Sequence, residues 1–143
     1  MNITFSILKS EHYDQIISLW EKSSLEYRPK GRDTRENIHK QLQLPNMLFL
    51  GAFKDKQLVG VIIGSSDGRK LWINRLTVDP AYRRQNIATI LLQKTEKHFQ
   101  DQGIEIFAAL ILEDNLVSID FFEKNGYSPY PILYYRKKLG PDV

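Results

Sequence analysis

The spacing of apolar positions changes several times along the chain, and each change marks an element. Thr4-Phe5-Ser6-Ile7-Leu8 alternates with the two-residue period of a strand. Ile16, Ile17, Leu19 and Trp20 then recur at helical spacing, behind Ser10 as a cap and Glu11 in the first turn, so a helix is expected from about Glu11 to Leu25. Pro29 and Gly31 punctuate a loop over Tyr27 to Asp33. Thr34, with Asn37 three residues on, caps a second short helix through Ile38, Leu42 and Leu44, which Pro45-Asn46 ends. Met47 to Phe53 and Leu58 to Gly64 read as antiparallel strands joined by the polar turn Lys54-Asp55-Lys56-Gln57. A second turn, Ser65 to Arg69, leads into a longer strand from Lys70 to Val78, closed by Asp79-Pro80. A helix follows from about Arg84 to Gln102, with Ile87, Ile90, Leu91 and Phe99 at helical spacing and Gly103 as its stop. Ile104 to Leu112 is apolar enough for a buried strand, Leu116 to Lys124 is helical up to Asn125-Gly126, and Tyr127 onward predicts a final pair of short strands around Pro129 and Pro131.

The order strand, two helices, three strands, helix, strand, helix, strands describes one mixed α/β domain over residues 1–143. There are no repeats, no low-complexity segment and no linker. No apolar run approaches the ~20 residues that span a bilayer, and Met1 to Lys9 has no apolar signal core, so a cytoplasmic protein without a membrane partner is expected. The chain has no cysteine, which removes disulfides, thiol nucleophiles and thiolate metal sites. Three histidines, His12, His39 and His98, lack ligand spacing, and no metal is expected. A net charge of +3, with no stripe of Arg or Lys interleaved with aromatics, argues against a nucleic-acid partner.

The transition from Val78-Asp79-Pro80 into Ile87 carries the most chemistry. A strand ends, a tight turn follows and a long helix begins. The first N–H groups of a helix have no partner within it, and with the helix dipole they favour an anion. Arg83 and Arg84 add positive charge there, and the small Ala88 permits close approach, an arrangement that suits a pyrophosphate.

Val78 to Leu92 resembles the coenzyme-A motif of the GNAT superfamily of N-acetyltransferases: Arg or Gln, two residues, Gly, one residue, then Gly or Ala. Arg83 takes the first place and Ala88 the last. Asn86 stands where Gly is usual, a mild departure, because Asn tolerates positive φ better than other non-Gly residues. About thirty residues on, Asn115-Leu116-Val117-Ser118-Ile119-Asp120-Phe121-Phe122-Glu123-Lys124-Asn125-Gly126-Tyr127 resembles the family's later motif, an Asn opening a helix that ends in a Gly-aromatic pair. The resemblance implies an α+β fold with a mixed central sheet of about six to seven strands, splayed between two central parallel strands, and about four helices. It implies an acetyl-coenzyme-A-dependent N-acyltransferase. The backbone of Leu76 and Val78 maps to pantetheine contacts, Arg83, Arg84, Gln85, Asn86, Ile87, Ala88 and Thr89 to the pyrophosphate, and Asn115 and Phe122 to further coenzyme contacts.

The acceptor amine must lose a proton from a group that titrates near ~10, and the leaving thiolate, with a pKa of about 8.5, gains from one. Many family members carry a Tyr acid seven residues after the helix-opening Asn, and Phe122 occupies that place here. Ser118, one turn earlier on the same helix face, is the candidate donor to sulfur, and Tyr127, Tyr130, Tyr134 and Tyr135 are further candidates. The strand from Lys70 to Val78 has no carboxylate, which leaves Glu113, a residue of the first loop such as Glu26, or water as the base. Direct attack by the deprotonated fraction of the amine is the alternative. The acceptor is expected between the loop Leu25 to Asp33 and the final strands, with Glu26, Tyr27, Arg75 and Tyr135 as candidate contacts. An amine-bearing small molecule or peptide fits such a site. A coenzyme-binding module with little catalysis is the competing reading, and an exposed C-terminal strand permits a homodimer.

Overall fold

The alternating segments pair into one sheet. In the computed structural model, which describes residues 2–24 and 26–143, the strands are β1 (Ile3–Ile7), β2 (Met47–Lys54), β3 (Gln57–Ser66), β4 (Leu71–Val78) and β5 (Phe107–Ala109), in that spatial order. β1 to β4 are antiparallel neighbours, and β5 runs parallel to β4. The helices are α1 (Tyr13–Lys22), α2 (Arg35–Leu42), α3 (Ile87–Gln100) and α4 (Leu116–Lys124). This is the expected mixed class with four helices, but among the described residues the sheet has five strands rather than six to seven.

Each face of the sheet carries its own core, as two-residue alternation requires. Leu48, Leu50, Ile62, Leu71 and Ile73 pack with Leu91, Leu92 and Phe99 of α3. Phe49, Phe53, Val61 and Ile63 pack with Ile16, Leu19 and Trp20 of α1 and Ile38 of α2. Two glycines of β3 set how closely α3 lies on the sheet. A Cβ at Gly64 would stand 2.9 Å from Thr95 Cγ2, and one at Gly60 would stand 3.1 Å from Ile87 Cγ2.

Several expected boundaries move, each for a local reason. Ser10 does not cap α1: it opens a 3-10 turn, Ser10–His12, and its hydroxyl meets His39 Nδ1. α1 ends at Lys22, well short of Leu25, and Leu25 itself lies outside the described residues. Thr34 does cap α2, accepting from the Asn37 amide at 3.1 Å. α3 starts at Ile87 rather than Arg84, because Arg84 and Asn86 both take positive φ, which a helix cannot contain. β5 covers three residues instead of Ile104 to Leu112, and Leu112 is 76% exposed. Tyr127 onward joins no ladder among the described residues: the arm from Ser128 to Lys138 is extended but unpaired.

β4 contains the irregularity that shapes the site. Gly64 pairs with Ile73 and Ile63 with Arg75, so Asn74 is an extra, bulged residue. Leu71 and Ile73 precede it on the α3 face, and Leu76 and Val78 return to that same core after it. Without the extra residue, strict alternation would turn Leu76 and Val78 to the opposite face.

Candidate functional site

β4 and β5 pair only at Leu71–Ile73 with Phe107–Ala109, so the ladder stops where the bulge begins. Beyond it, the edge of β4 from Asn74 to Val78 has no strand partner among the described residues. The Asp79 N–H donates to the Val59 carbonyl at 2.8 Å, which fixes the alternation along β4. The peptide groups of Thr77 and Arg75 turn to β3, and those of Leu76 and Val78 turn to the open edge. The Val78 carbonyl meets Arg83 Nε there at 3.4 Å. The ladder between the two parallel strands therefore ends in a gap, along which the outward peptide groups of β4 have no strand partner among the described residues.

The turn from β4 into α3 stands at the mouth of that gap. Asp79 is buried, pairs with Lys22 at 3.1 Å and accepts from the Ala81 amide at 2.9 Å. Burial pushes its carboxyl up, but the Ala81 amide, Lys22 and Arg83 outweigh it and hold the group below the usual carboxylate range. That anchor sets a 3-10 turn, Pro80–Tyr82. Arg84 then lies at φ 67° and Asn86 at φ 62°, ψ 13°. Asn86 occupies the left-handed conformation its tolerance allows. Arg84 is a departure the sequence did not announce, and left-handed backbone costs a non-glycine residue about 1–2 kcal/mol. Asn86 makes no side-chain cap, and no backbone N–H from Arg83 to Thr89 donates to another group among the described residues. Left-handed residues in a turn gather successive amides into a concavity that suits an anion. Arg83, Arg84 and Asn86 are exposed around it, Ile87 is buried, and Ala88 and Thr89 are half-buried. Gln85 turns inward, with its Oε1 buried and unpartnered. The residues present fit a pyrophosphate.

Because β4 and β5 are parallel, the segments that leave their carboxyl ends emerge on the same side of the sheet, the usual place for a ligand crevice. β5 leads there through Glu113 and Asn115 into α4. Asn115 caps the helix, its Oδ1 accepting from the Ser118 amide at 3.2 Å. Ser118 is half-buried in the first turn and Glu113 is exposed before it. Phe122 is a core residue, edge-on to Phe121 and Tyr127 with ring centroids 5.2 and 5.1 Å away. Tyr127 donates to Glu96 Oε2 at 2.7 Å. Burial, then the Glu96 hydrogen bond, pushes its phenol far above the ordinary range. Among the tyrosine candidates, Tyr127 is thus committed to the core, while Tyr130, Tyr134 and Tyr135 stand exposed on the arm, Tyr135 at 84%.

On the opposite face of β4, Arg75 is brought to the first loop. Its Nη2 meets Asp33 Oδ2 at 2.9 Å, with the side chains 11% and 4% exposed. Its guanidinium lies 4.3 Å from the Trp20 ring centroid, and Asp33 also accepts from the Arg28 amide at 2.6 Å. Arg75 Nη1, Thr77 Oγ1, Trp20 Nε1 and Ser23 Oγ are buried without partners among the described residues. Tyr27 is half-buried against Trp20, and its phenol donates to Glu21, which raises its pKa. Glu26 is exposed and 3.6 Å from Arg28. Arg75 and Tyr27 therefore share one neighbourhood, Glu26 lies at its rim, and Tyr135 stays exposed on the arm.

No motif marks Asp33 or Trp20, which only the fold brings to Arg75. The bulge had a visible signal: the apolar positions of β4 step from odd, Leu71 and Ile73, to even, Leu76 and Val78. No helix among the described residues is long and apolar enough to cross a membrane.

The profile of the acetyltransferase (GNAT) family matches residues 13–127. PaiA N-acetyltransferase from Thermoplasma acidophilum, in complex with coenzyme A, superposes with a TM-score of 0.80 at 25% identity, over 90% of this chain and 91% of that one. Aminoglycoside 6'-N-acetyltransferase AAC(6')-Ih from Acinetobacter baumannii gives a TM-score of 0.80 at 19% identity, over 97% and 100%. An aminoglycoside acetyltransferase from an uncultured soil metagenomic sample, in complex with sisomicin, gives 0.77 at 16% identity, over 96% and 97%. At their identities the last two establish likeness of fold alone.

Proposed function

Since the chain belongs to the GNAT family of acetyltransferases, we propose that it moves the acetyl group of acetyl-coenzyme A to a primary amine of a small metabolite or peptide, by direct attack within a ternary complex. The enzyme class and the acetyl-coenzyme A co-substrate follow from the family. The acceptor and the residue roles are the proposal. The observation that carries it is the undonated amide run from Arg83 to Thr89, curled through two left-handed residues beside two exposed arginines.

In this reading the amides of Arg84 to Thr89 and the charge of Arg83 and Arg84 hold the pyrophosphate. The outward peptide groups of Leu76 and Val78 pair with the pantetheine amides as a neighbouring strand would. One N–H of that open edge donates to the acetyl oxygen as negative charge develops, a contribution of about 3–4 kcal/mol for a well-placed donor. Asn115 offers its amide nitrogen, since its oxygen is used in the cap. Ser118, half-buried in the first turn of α4, donates to the leaving sulfur, and Glu113, exposed just before that helix, accepts the amine proton. Phe122 supplies packing and no proton. On the other face, Arg75 Nη1 offers a buried donor to a carboxylate or hydroxyl of the acceptor, beside Tyr27 and Glu26, with Tyr135 brought in by the arm.

The test is thiol release from acetyl-coenzyme A with a panel of amines: aminoglycosides, because relatives of the same fold act on them, together with polyamines, amino acids and short peptides. Saturable, amine-dependent release above the protein-free rate is expected. Release that no amine in the panel stimulates contradicts the proposal.

A further inference from the structure

Buried polar side-chain atoms almost always find a hydrogen-bond partner, so a cluster of them without one points to a ligand. Among the described residues five such atoms have no partner, and four of them are Trp20 Nε1, Ser23 Oγ, Arg75 Nη1 and Thr77 Oγ1. The fold gathers these four under the end of α1. Arg75 and Thr77 are alternate residues of β4, about 7 Å apart along one face. They stand opposite Ile63 and Val61, which belong to the core beneath α1. α1 is pinned over that stretch on either side of Thr77. Trp20 lies over the Arg75 guanidinium at 4.3 Å, and Lys22 meets Asp79 at 3.1 Å. Ser23 ends the same helix three residues after Trp20, which puts both on one side of it.

The chemistry of the four atoms is one-sided. A guanidinium N–H and an indole N–H only donate, and both hydroxyls can donate. Arg75 already gives Nη2 to Asp33, so Nη1 is the donor that remains. A group that satisfies the cluster has to accept several hydrogen bonds at once. A carboxylate does so with two oxygens and about four lone-pair sites, whereas an ammonium accepts none. The neighbouring loop has the matching charge: it carries Arg28, Lys30, Arg32 and Arg35 against Asp33 alone. Such a field draws an anion and repels a polycation. Tyr27 of this loop lies against Trp20, and its phenol donates to Glu21 in an exposed hydrogen bond. Water replaces an exposed bond at little cost, so the ring can give way to a ligand.

We infer that this cluster seats a carboxylate of the acceptor, which makes the acceptor an amino acid or a peptide with a free carboxyl end rather than a polyamine or an aminoglycoside. The inference rests on the transferase reading above and narrows its acceptor. Arg75 and Thr77 flank Leu76, whose outward peptide group lines the pantetheine in that reading. An acceptor anchored between them therefore lies beside the strand that carries the acetyl arm.

The chain has two tryptophans, Trp20 and Trp72, so isotope-labelled protein shows two indole N–H signals, which Trp72→Phe assigns. The probes are β-alanine, a free amino acid, and glycylglycine, a peptide, each beside its carboxamide, which keeps the amine and removes the negative charge. With and without coenzyme A, a carboxylate probe at millimolar concentration is expected to shift the Trp20 indole signal saturably, and its carboxamide to bind about tenfold more weakly. The tighter of the two carboxylates identifies the source as free amino acid or peptide end. D33N/R75M is expected to abolish the shift. Thr77→Val is expected to weaken carboxylate binding several-fold without lowering the melting midpoint, because it removes a buried hydroxyl that has no partner. No saturable shift from either carboxylate overturns the inference, as do carboxamides that bind equally well. A carboxylate shift that survives in both D33N/R75M and Thr77→Val also overturns it, because the carboxylate then sits elsewhere. The readout needs no turnover. Active protein that fails it loses only the carboxylate seat, and inactive protein that passes it loses only the acetyl transfer.

Discussion

Replacing Asp33 with Asn keeps the side chain's shape and removes the charge that faces Arg75. The pair is 2.9 Å apart with side chains 4% and 11% exposed, and Arg75 Nη1 already has no partner, so the guanidinium has little water to turn to. Breaking a buried pair from one side costs about 3–5 kcal/mol. The residual exposure of Arg75 and its place over the Trp20 ring lower the expected loss to about 2–4 kcal/mol. At about 2–4 °C per kcal/mol for a chain near this size, the melting midpoint should fall by roughly 5–15 °C. The double variant D33N/R75M removes both charges and should recover most of that loss, since apolar groups of similar volume replace buried pairs at little cost. Urea unfolding followed by far-UV circular dichroism measures both. A single-variant loss below about 1 kcal/mol, or a double variant less stable than the single, refutes the claim that this pair is a desolvated anchor of the first loop.

Three further outcomes follow from the same geometry. Tyr127→Phe loses the bond to Glu96, about 1–2 kcal/mol of stability, but leaves the pH profile of acetyl transfer unchanged. Because the native phenol titrates above the unfolded value of 10.0, its contribution is full below that pH and is lost above it, and the variant should show a shallower alkaline loss in urea titrations. Asp79 has its carboxyl held below the unfolded value of 3.8, so its contribution is present above that pH and is lost as pH falls through the lower native value; Asp79→Asn should cost about 2 kcal/mol at neutral pH and lose less on acidification. Gly64→Val places a Cβ 2.9 Å from Thr95 Cγ2 and should cost about 1–3 kcal/mol, part of which Thr95→Ser returns in a double-mutant cycle.

Local rules carried the first two-thirds of the fold. Alternation located β1 to β4 to within a residue or two, Thr34 announced its cap, and Leu116–Lys124 was legible at both ends. The sheet's far edge was not. Ile104 to Leu112 is apolar enough for a buried strand, yet pairing there depends on a neighbour, and the single chain supplies one only at Phe107–Ala109. The same holds for the arm, whose composition predicts strands and whose own chain leaves it without a ladder. At the site, the tolerance of Asn86 for positive φ was readable from its residue type. The left-handed Arg84 was not, because it is imposed by the path from the Asp79 anchor to Ile87. Ser10 read as a cap because its residue type fits one, but a tertiary partner, His39, took its hydroxyl.

The proposed seat of the pyrophosphate is the turn before α3, where the amides from Arg84 to Thr89 have no donor bond among the described residues. Titrating coenzyme A into isotope-labelled protein and following the backbone amides tests it most directly. Saturable shifts are expected, largest from Arg84 to Thr89 and continuing through Leu76 and Val78, with affinity reduced at least tenfold, about 1.4 kcal/mol, in Arg84→Glu. Saturable binding that leaves the amides of Arg84 to Thr89 unmoved, or binding that Arg84→Glu does not weaken, contradicts it.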